Sequence, residues 1–167
     1  MRTVEWYFGG MLKEARLKNI SERSRGFVIE SGFSSTSEHT LDAKNRIFIP
    51  TKFRENLGDT IYVLRHRTSD GNCLRLYTKE EYMTKAAKYN NLEAEALEPE
   101  ELDKATKTAR KFFAFIDDNQ VDSKGRMTLK PSQLLHAGID KEAIIIGMGN
   151  QVEIWSRANW EAYMAAD

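Results

Sequence analysis

Two short alternations of apolar and polar residues recur along this chain in the same setting. Ile47 and Ile49 alternate with polar neighbours after "LDAKNR", and Met127 and Leu129 do so after "VDSKGR". Period-two alternation predicts a strand with one buried face in each place. Pro50 and Pro131 follow and predict short helices of about two turns, ended by Gly58 and Gly138. Apolar runs then flank turn-rich residues: "TIYVLRH" and "CLRLY" around "SDGN", "AIIIGM" and "QVEIW" around Gly149-Asn150. Each pair predicts a hairpin. A helix closes each set. Thr78 and Glu81 suit a capping box ahead of a stripe of Tyr82, Ala86 and Tyr89. Ser156 suits a cap ahead of Trp160, Tyr163 and Met164.

The two sets are one repeat with an offset of 80 residues. "LDAKNRIFIPTKFRENLG" (41–58) lies over "VDSKGRMTLKPSQLLHAG" (121–138), which matches Asp42 with Asp122, Lys44 with Lys124, and Arg46 with Arg126. Two copies are too few for a solenoid, so a pseudo-symmetric pair sharing one core is expected. The expected organisation is repeat 1 over 33–91, a connecting helical segment over 92–114, and repeat 2 over 115–167. The connector starts at Pro99 and shows helical spacing at Leu102, Ala105, Ala109 and Phe112. Residues 1–32 have no counterpart in the repeat. They hold a possible short helix at 11–20 and the apolar "GFVI" at 26–29, and are expected to be a flexible extension.

Charge narrows the chemistry. Lys plus Arg and Asp plus Glu are both 25, so the net charge is zero and a uniformly basic surface is excluded. The distribution is uneven. Residues 39–58 carry four bases, Lys44, Arg46, Lys52 and Arg54, against two acids, a local +2. Residues 119–138 carry Lys124, Arg126 and Lys130 against Asp122, again +2. Residues 92–107 carry six acids and two bases, which reads as a solvated helix face or a protein-docking face.

No catalytic constellation is visible. The three histidines, His39, His66 and His136, are scattered, and no zinc, nucleophile-elbow or phosphate-loop motif occurs. No cofactor or metal is expected. Cys73 is the only cysteine, which rules out an intrachain disulfide, fits a reducing cytoplasm and suits a small apolar strand residue. No apolar run approaches the ~20 residues of a membrane span.

The heptad turns are the candidate site. Asn45 and Gly125 suit positive φ, so each turn projects its side chains outward. Lys offers a point charge to phosphate, and Arg offers a fork to phosphate or to guanine. Two such turns would make a two-pronged nucleic-acid contact. The same residues also read as a staple in which Asp42 and Asp122 pair with Arg46 and Arg126 to hold the turns. The residues alone leave both readings open.

"EHTLDAKNRIFIPTKFRENLG", "NQVDSKGRMTLKP" and "VEIWSRANWEAY" together resemble the MraZ family of bacterial transcriptional regulators, over about 33 to 164. The resemblance implies an α+β fold. Tandem AbrB-like swapped-hairpin β-α-β units would form an intramolecular pseudo-dimeric β-barrel core with flanking helices. It implies a repressor that binds double-stranded DNA at direct repeats in the promoter of the division and cell-wall gene cluster containing its own gene. The expected assembly is a ring-shaped homo-oligomer, cytoplasmic and nucleoid-associated, with no membrane partner. The alternative is an AbrB-like oligomeric module that grips a protein instead of DNA. The implied DNA contacts are Lys44, Asn45, Arg46, Lys124 and Arg126, with Lys52, Arg54 and Lys130 secondary and with Asp42 and Asp122 orienting the turns.

The chain departs from the family pattern in places. Asn45 replaces a glycine, the position matching Arg54 is Leu134, and Lys130 precedes Pro131. Ser35 and Ser37 stand where the family has a glycine and an aromatic residue. The first copy is the expected main reader.

Overall fold

Polar-apolar alternation and proline placement become strands and helices in the order the repeat predicts, with one further strand ahead of each heptad. The computed structural model describes residues 33–166; the 1–32 extension, with its expected helix and apolar tetrad, lies outside the described residues. The first repeat runs β1 (Thr36–Thr40), β2 (Arg46–Phe48), α1 (Thr51–Leu57), β3 (Thr60–Arg67), β4 (Asn72–Tyr77) and α2 (Lys79–Glu95). Helix α3 (Pro99–Phe115) follows. The second repeat runs β5 (Ile116–Gln120), β6 (Arg126–Thr128), α4 (Pro131–Ala137), β7 (Glu142–Gly147), β8 (Val152–Ser156) and α5 (Arg157–Met164).

Local chemistry sets the element ends. Gly58 and Gly138 close α1 and α4 with φ of +79° and +65°. The Thr78 hydroxyl accepts the Glu81 N–H at 3.1 Å, and the Ser156 hydroxyl accepts that of Asn159 at 3.1 Å, which caps α2 and α5. Helix α2 continues past residue 91 to Glu95, so the expected border between repeat 1 and the connector falls inside a helix.

Strand pairing crosses between the repeats. The main antiparallel sheet has the order β1-β7-β8-β4-β3-β5. β1 pairs with β7 of the other repeat, as in Ser37 opposite Ile145, and β5 pairs with β3, as in Ile61 opposite Asn119. The two hairpins join at the centre, where Leu74 lies opposite Ile154. A separate ladder pairs β2 with β6, and Ile47 lies opposite Met127. The expected barrel is therefore not closed by hydrogen bonds. It is a six-stranded sheet with β1 and β5 as edges, plus a two-stranded ribbon. Each ribbon strand is three residues long and is followed within three residues by a proline that cannot extend a ladder; beyond their mutual ladder, Met127 of β6 makes a single bridge to Val121.

The ribbon covers one face of the sheet. Ile47, Ile49, Met127 and Leu129 are buried against Ile61, Val63, Leu74, Leu76, Ile145 and Ile154. Each such aliphatic side chain contributes about 1.5–3 kcal/mol by leaving water. The opposite face carries aromatic stacks. Tyr82 of α2 lies 4.1 Å from Tyr62, and Tyr89 lies 4.3 Å from Phe112 of α3. In the second repeat Trp160 packs on Trp155, but Met164 is 54% exposed. Helix α2 has α3 as a partner, whereas no second helix among the described residues covers α5. Between the stacks lies the buried Glu153, which accepts from Arg75 at 2.8 Å and from the Trp155 indole at 2.9 Å.

Ser35 has a φ of +82°, in the region that favours glycine. A non-glycine residue there costs roughly 1–2 kcal/mol. Ser35→Gly is therefore expected to raise stability by about 1 kcal/mol, read as a higher urea midpoint with an unchanged slope. An unchanged midpoint would show that the Lys52 bond to the Ser35 hydroxyl offsets the strain.

Candidate nucleic-acid interface

Each heptad is a tight turn clasped by its own aspartate. The Asp42 N–H donates to the Arg46 carbonyl at 3.0 Å, and the Asn45 N–H donates to the Asp42 carbonyl at 3.0 Å. One carboxylate oxygen of Asp42 accepts the N–H groups of Lys44 and Arg46 at 2.9 and 3.0 Å. The other accepts Arg46 Nε at 2.7 Å. The second turn repeats the set. Asp122 accepts the N–H groups of Lys124 and Arg126, each at 2.9 Å, and Arg126 Nε at 2.9 Å. Positive φ at Asn45 (+57°) and Gly125 (+78°) lets both turns close.

These bonds favour the charged carboxylates. The Arg126 N–H and then its guanidinium hold the Asp122 carboxyl at about 2, against an ordinary 3.8. The Arg46 N–H leads the same effect at Asp42, which is also lowered.

The ribbon then sets the two turns on one surface. The Ile49 N–H donates to the Gly125 carbonyl, and the Leu129 N–H donates to the Asn45 carbonyl, each at 2.9 Å. Each turn thus caps one end of the β2–β6 ladder. Four residues separate the two ends, so the turn backbones stand roughly 13 Å apart at the usual rise of a strand. Strand alternation sends Ile47 and Met127 inward and puts Arg46, Phe48, Arg126 and Thr128 on the outer face. The arginines are half-buried, while Lys44, Asn45 and Lys124 are exposed. Neither lysine ammonium has a side-chain partner among the described residues.

The secondary candidates are engaged elsewhere. Arg54 donates to the Ile49 carbonyl and the Thr51 hydroxyl, both at 2.9 Å, and its guanidinium lies 5.4 Å from the Phe48 ring. It also lies over the opposite turn, where a Cβ added to Gly125 would fall 2.6 Å from its Cζ. Lys52 meets the Ser35 hydroxyl and lies 4.9 Å from the Phe53 ring. Lys130 is paired with Asp117 at 3.2 Å. Sequence reasoning missed Phe48 and Thr128 on the outer face. Both occupy the off-beat of the Ile47/Ile49 and Met127/Leu129 alternation, which is the signal that could have found them.

Among the described residues no cluster of three His, Cys, Asp or Glu is placed to hold a metal ion. Burial pushes the Cys73 thiol up to about 12, which keeps it from acting as a thiolate. No helix among the described residues is long and apolar enough to cross a membrane.

Comparison with known proteins follows the same residues. The family model described as "MraZ protein, putative antitoxin-like" matches residues 33–105 and 112–167. A protein of Ligilactobacillus salivarius named transcriptional regulator MraZ is 36% identical over 131 residues, covering 78% of this chain and 85% of that protein. Those of Alkaliphilus oremlandii and Thermoanaerobacter sp. bear the same name. They are 36% and 37% identical, cover 81% and 75% of this chain, and are themselves covered to 88% and 82%.

Two outcomes follow from the turn geometry. The Asp122 carboxyl is lowered on folding, so its contribution to stability is present above about pH 4 and is lost as the pH falls through about 2. Carboxyl NMR shifts should titrate with a midpoint near 2 at Asp122, and a midpoint near 4 would show an open clasp. Gly125→Ala should destabilise by about 1–3 kcal/mol, because positive φ and the Arg54 guanidinium both oppose a Cβ. Adding Arg54→Ala should restore part of that loss in urea unfolding.

Proposed function

Because the chain belongs to the MraZ family, we propose that it is a DNA-binding transcription regulator that reads promoter DNA with the β2–β6 ribbon and its two turns. The observation that carries this reading is the outer face of the ribbon, where Arg46 and Arg126 lie between the exposed Lys44 and Lys124. A two-stranded ribbon fits a B-DNA major groove about 12 Å wide, close to the roughly 13 Å between the turns.

The residues divide their work. Lys44 and Lys124 meet phosphates at the two groove walls. Arg46 and Arg126 are held by Asp42 and Asp122 and point donors at base edges or inner phosphates. Asn45 adds a polar side chain at the first turn, where the second has Gly125. The first repeat also supplies Arg54, which lies over the second turn at Gly125, and Lys52 on the same helix, while Lys130 is neutralised by Asp117. The first repeat is accordingly the stronger reader.

In this reading the AbrB-like halves are swapped hairpins, and the interlaced pairing of β1 with β7 and of β5 with β3 supports that description. One chain has too few cationic contacts for tight binding at physiological salt. A ring of several chains on direct repeats would add affinity through effective concentration. The target is the promoter of the division and cell-wall gene cluster holding its own gene, and repression acts by occluding it. The chain works in the cytoplasm, on the nucleoid. A second reading, docking of a protein partner, has one observation in its favour: Leu97, at the tip of the α2–α3 pair, is 89% exposed.

A salt titration tests the DNA reading. Binding to DNA with the upstream repeats should exceed binding to a scrambled duplex, and equal affinity would remove sequence specificity. Lys44→Ala with Lys124→Ala should flatten the log affinity against log salt slope by about 1.8, roughly 0.9 for each lost phosphate contact. The fold should remain intact, because neither ammonium holds a protein group. An unchanged slope would move the contact away from the turns. Stoichiometric co-purification of one protein without a DNA shift would favour the second reading.

A further inference from the structure

A cleft of about 310 Å³ lies where the end of β3 meets α3 and α4. Its lining is Arg65, Arg67, Lys111, Phe115 and His136, so four of its five side chains are basic and none is acidic. In a chain of zero net charge this is a second concentration of positive groups, separate from the heptads. Thr60 pairs with Gln120 just before the second heptad, and Arg65–Arg67 lie five to seven residues further along the strand. The cleft is therefore roughly 20 Å from that turn along β3.

Arg65 and His136 are held in place without an acidic partner. Arg65 donates from Nη2 to the Ala114 carbonyl at 2.7 Å, and its guanidinium lies 4.7 Å from the Phe115 ring. Its Nε is buried with no hydrogen-bond partner. The His136 ring is held at 2.9 Å from the His66 carbonyl, which can only accept, so Nε2 carries the proton. The Arg67 and Lys111 heads have no protein partner among the described residues. Clustered cations repel one another, and a buried donor without a partner costs free energy. A bound polyanion would relieve the repulsion.

We propose that this cleft binds a small ligand bearing a diphosphate group, with Arg67, Lys111 and Arg65 on the phosphates and the Phe115 ring as a wall for the attached organic part. Guanidinium forks and a mobile ammonium together suit a multiply charged phosphate. The volume suits a small molecule, at the lower end of the usual range for ligand sites.

Calorimetry of the full chain with sodium pyrophosphate, at constant ionic strength, tests it. Saturable one-to-one binding is expected. Arg67→Ala with Lys111→Ala should weaken it by about tenfold or more, while Lys44→Ala with Lys124→Ala should leave it unchanged. Absence of saturable heat, or loss in the heptad variant instead, would overturn the proposal. Adenosine diphosphate is the second probe. Tighter binding than pyrophosphate would place the organic group on Phe115, and equal binding would assign the site to the diphosphate alone; both support the cleft. A short DNA duplex that displaces pyrophosphate from the heptad variant would make the cleft a nucleic-acid surface and overturn the small-ligand assignment. The DNA reading of the heptads is measured separately, by the salt titration, so either can fail alone.

Discussion

Three residues of strand pairing, Arg46–Phe48 against Arg126–Thr128, join the two repeats at their heptad turns. The ladder's end bonds run from Ile49 to Gly125 and from Leu129 to Asn45. Each heptad turn is therefore completed by the other repeat. Inward, the same ladder places Ile47 and Met127 at the centre of the core. Outward, it lines up both arginines. Removing the pairing would expose the core and separate the two turns together, so stability and the candidate site rest on one set of bonds.

The pseudo-symmetry leaves room for the halves to differ. Arg54 lies over Gly125, where no Cβ fits, while its counterpart is Leu134 and Asn45 is exposed. The exchange of glycine for asparagine thus follows from what covers each turn. The short helices differ in the same way. Phe53 packs on Phe33 at 5.8 Å, whereas the matching Gln133 exchanges amide bonds of 2.9 Å with Asn119. An apolar contact and a satisfied polar pair fill equivalent places, each complete by its own chemistry.

The staple is compatible with the proposed prong. An aspartate that takes two N–H groups and one guanidinium nitrogen holds the arginine at a fixed angle while leaving part of the fork unused. The neighbouring lysine gives only its N–H to the clasp. Preorganised donors of this kind lose little freedom on meeting a ligand. The net charge of zero conceals this, because six acids against two bases in residues 92–107 offset the local +2 of residues 39–58 and of residues 119–138.

Local rules were enough to read much of this chain. Alternation marked Ile47, Ile49, Met127 and Leu129 as buried, proline and glycine bounded α1 and α4, and the offset of 80 residues exposed the doubling. Each of these depends on residues adjacent in sequence. The heptad pattern drew attention to the two clasped turns, but not to Phe48 and Thr128, nor to the ion pair that occupies Lys130. Those outcomes depend on what lies across the ribbon or across the repeat. The open sheet, the cover of Arg54 over Gly125, and the gathering of Arg65, Lys111 and His136 were likewise decided in tertiary structure. They join residues tens of positions apart, and short-range periodicity carries no information about which distant strand or helix will become a neighbour.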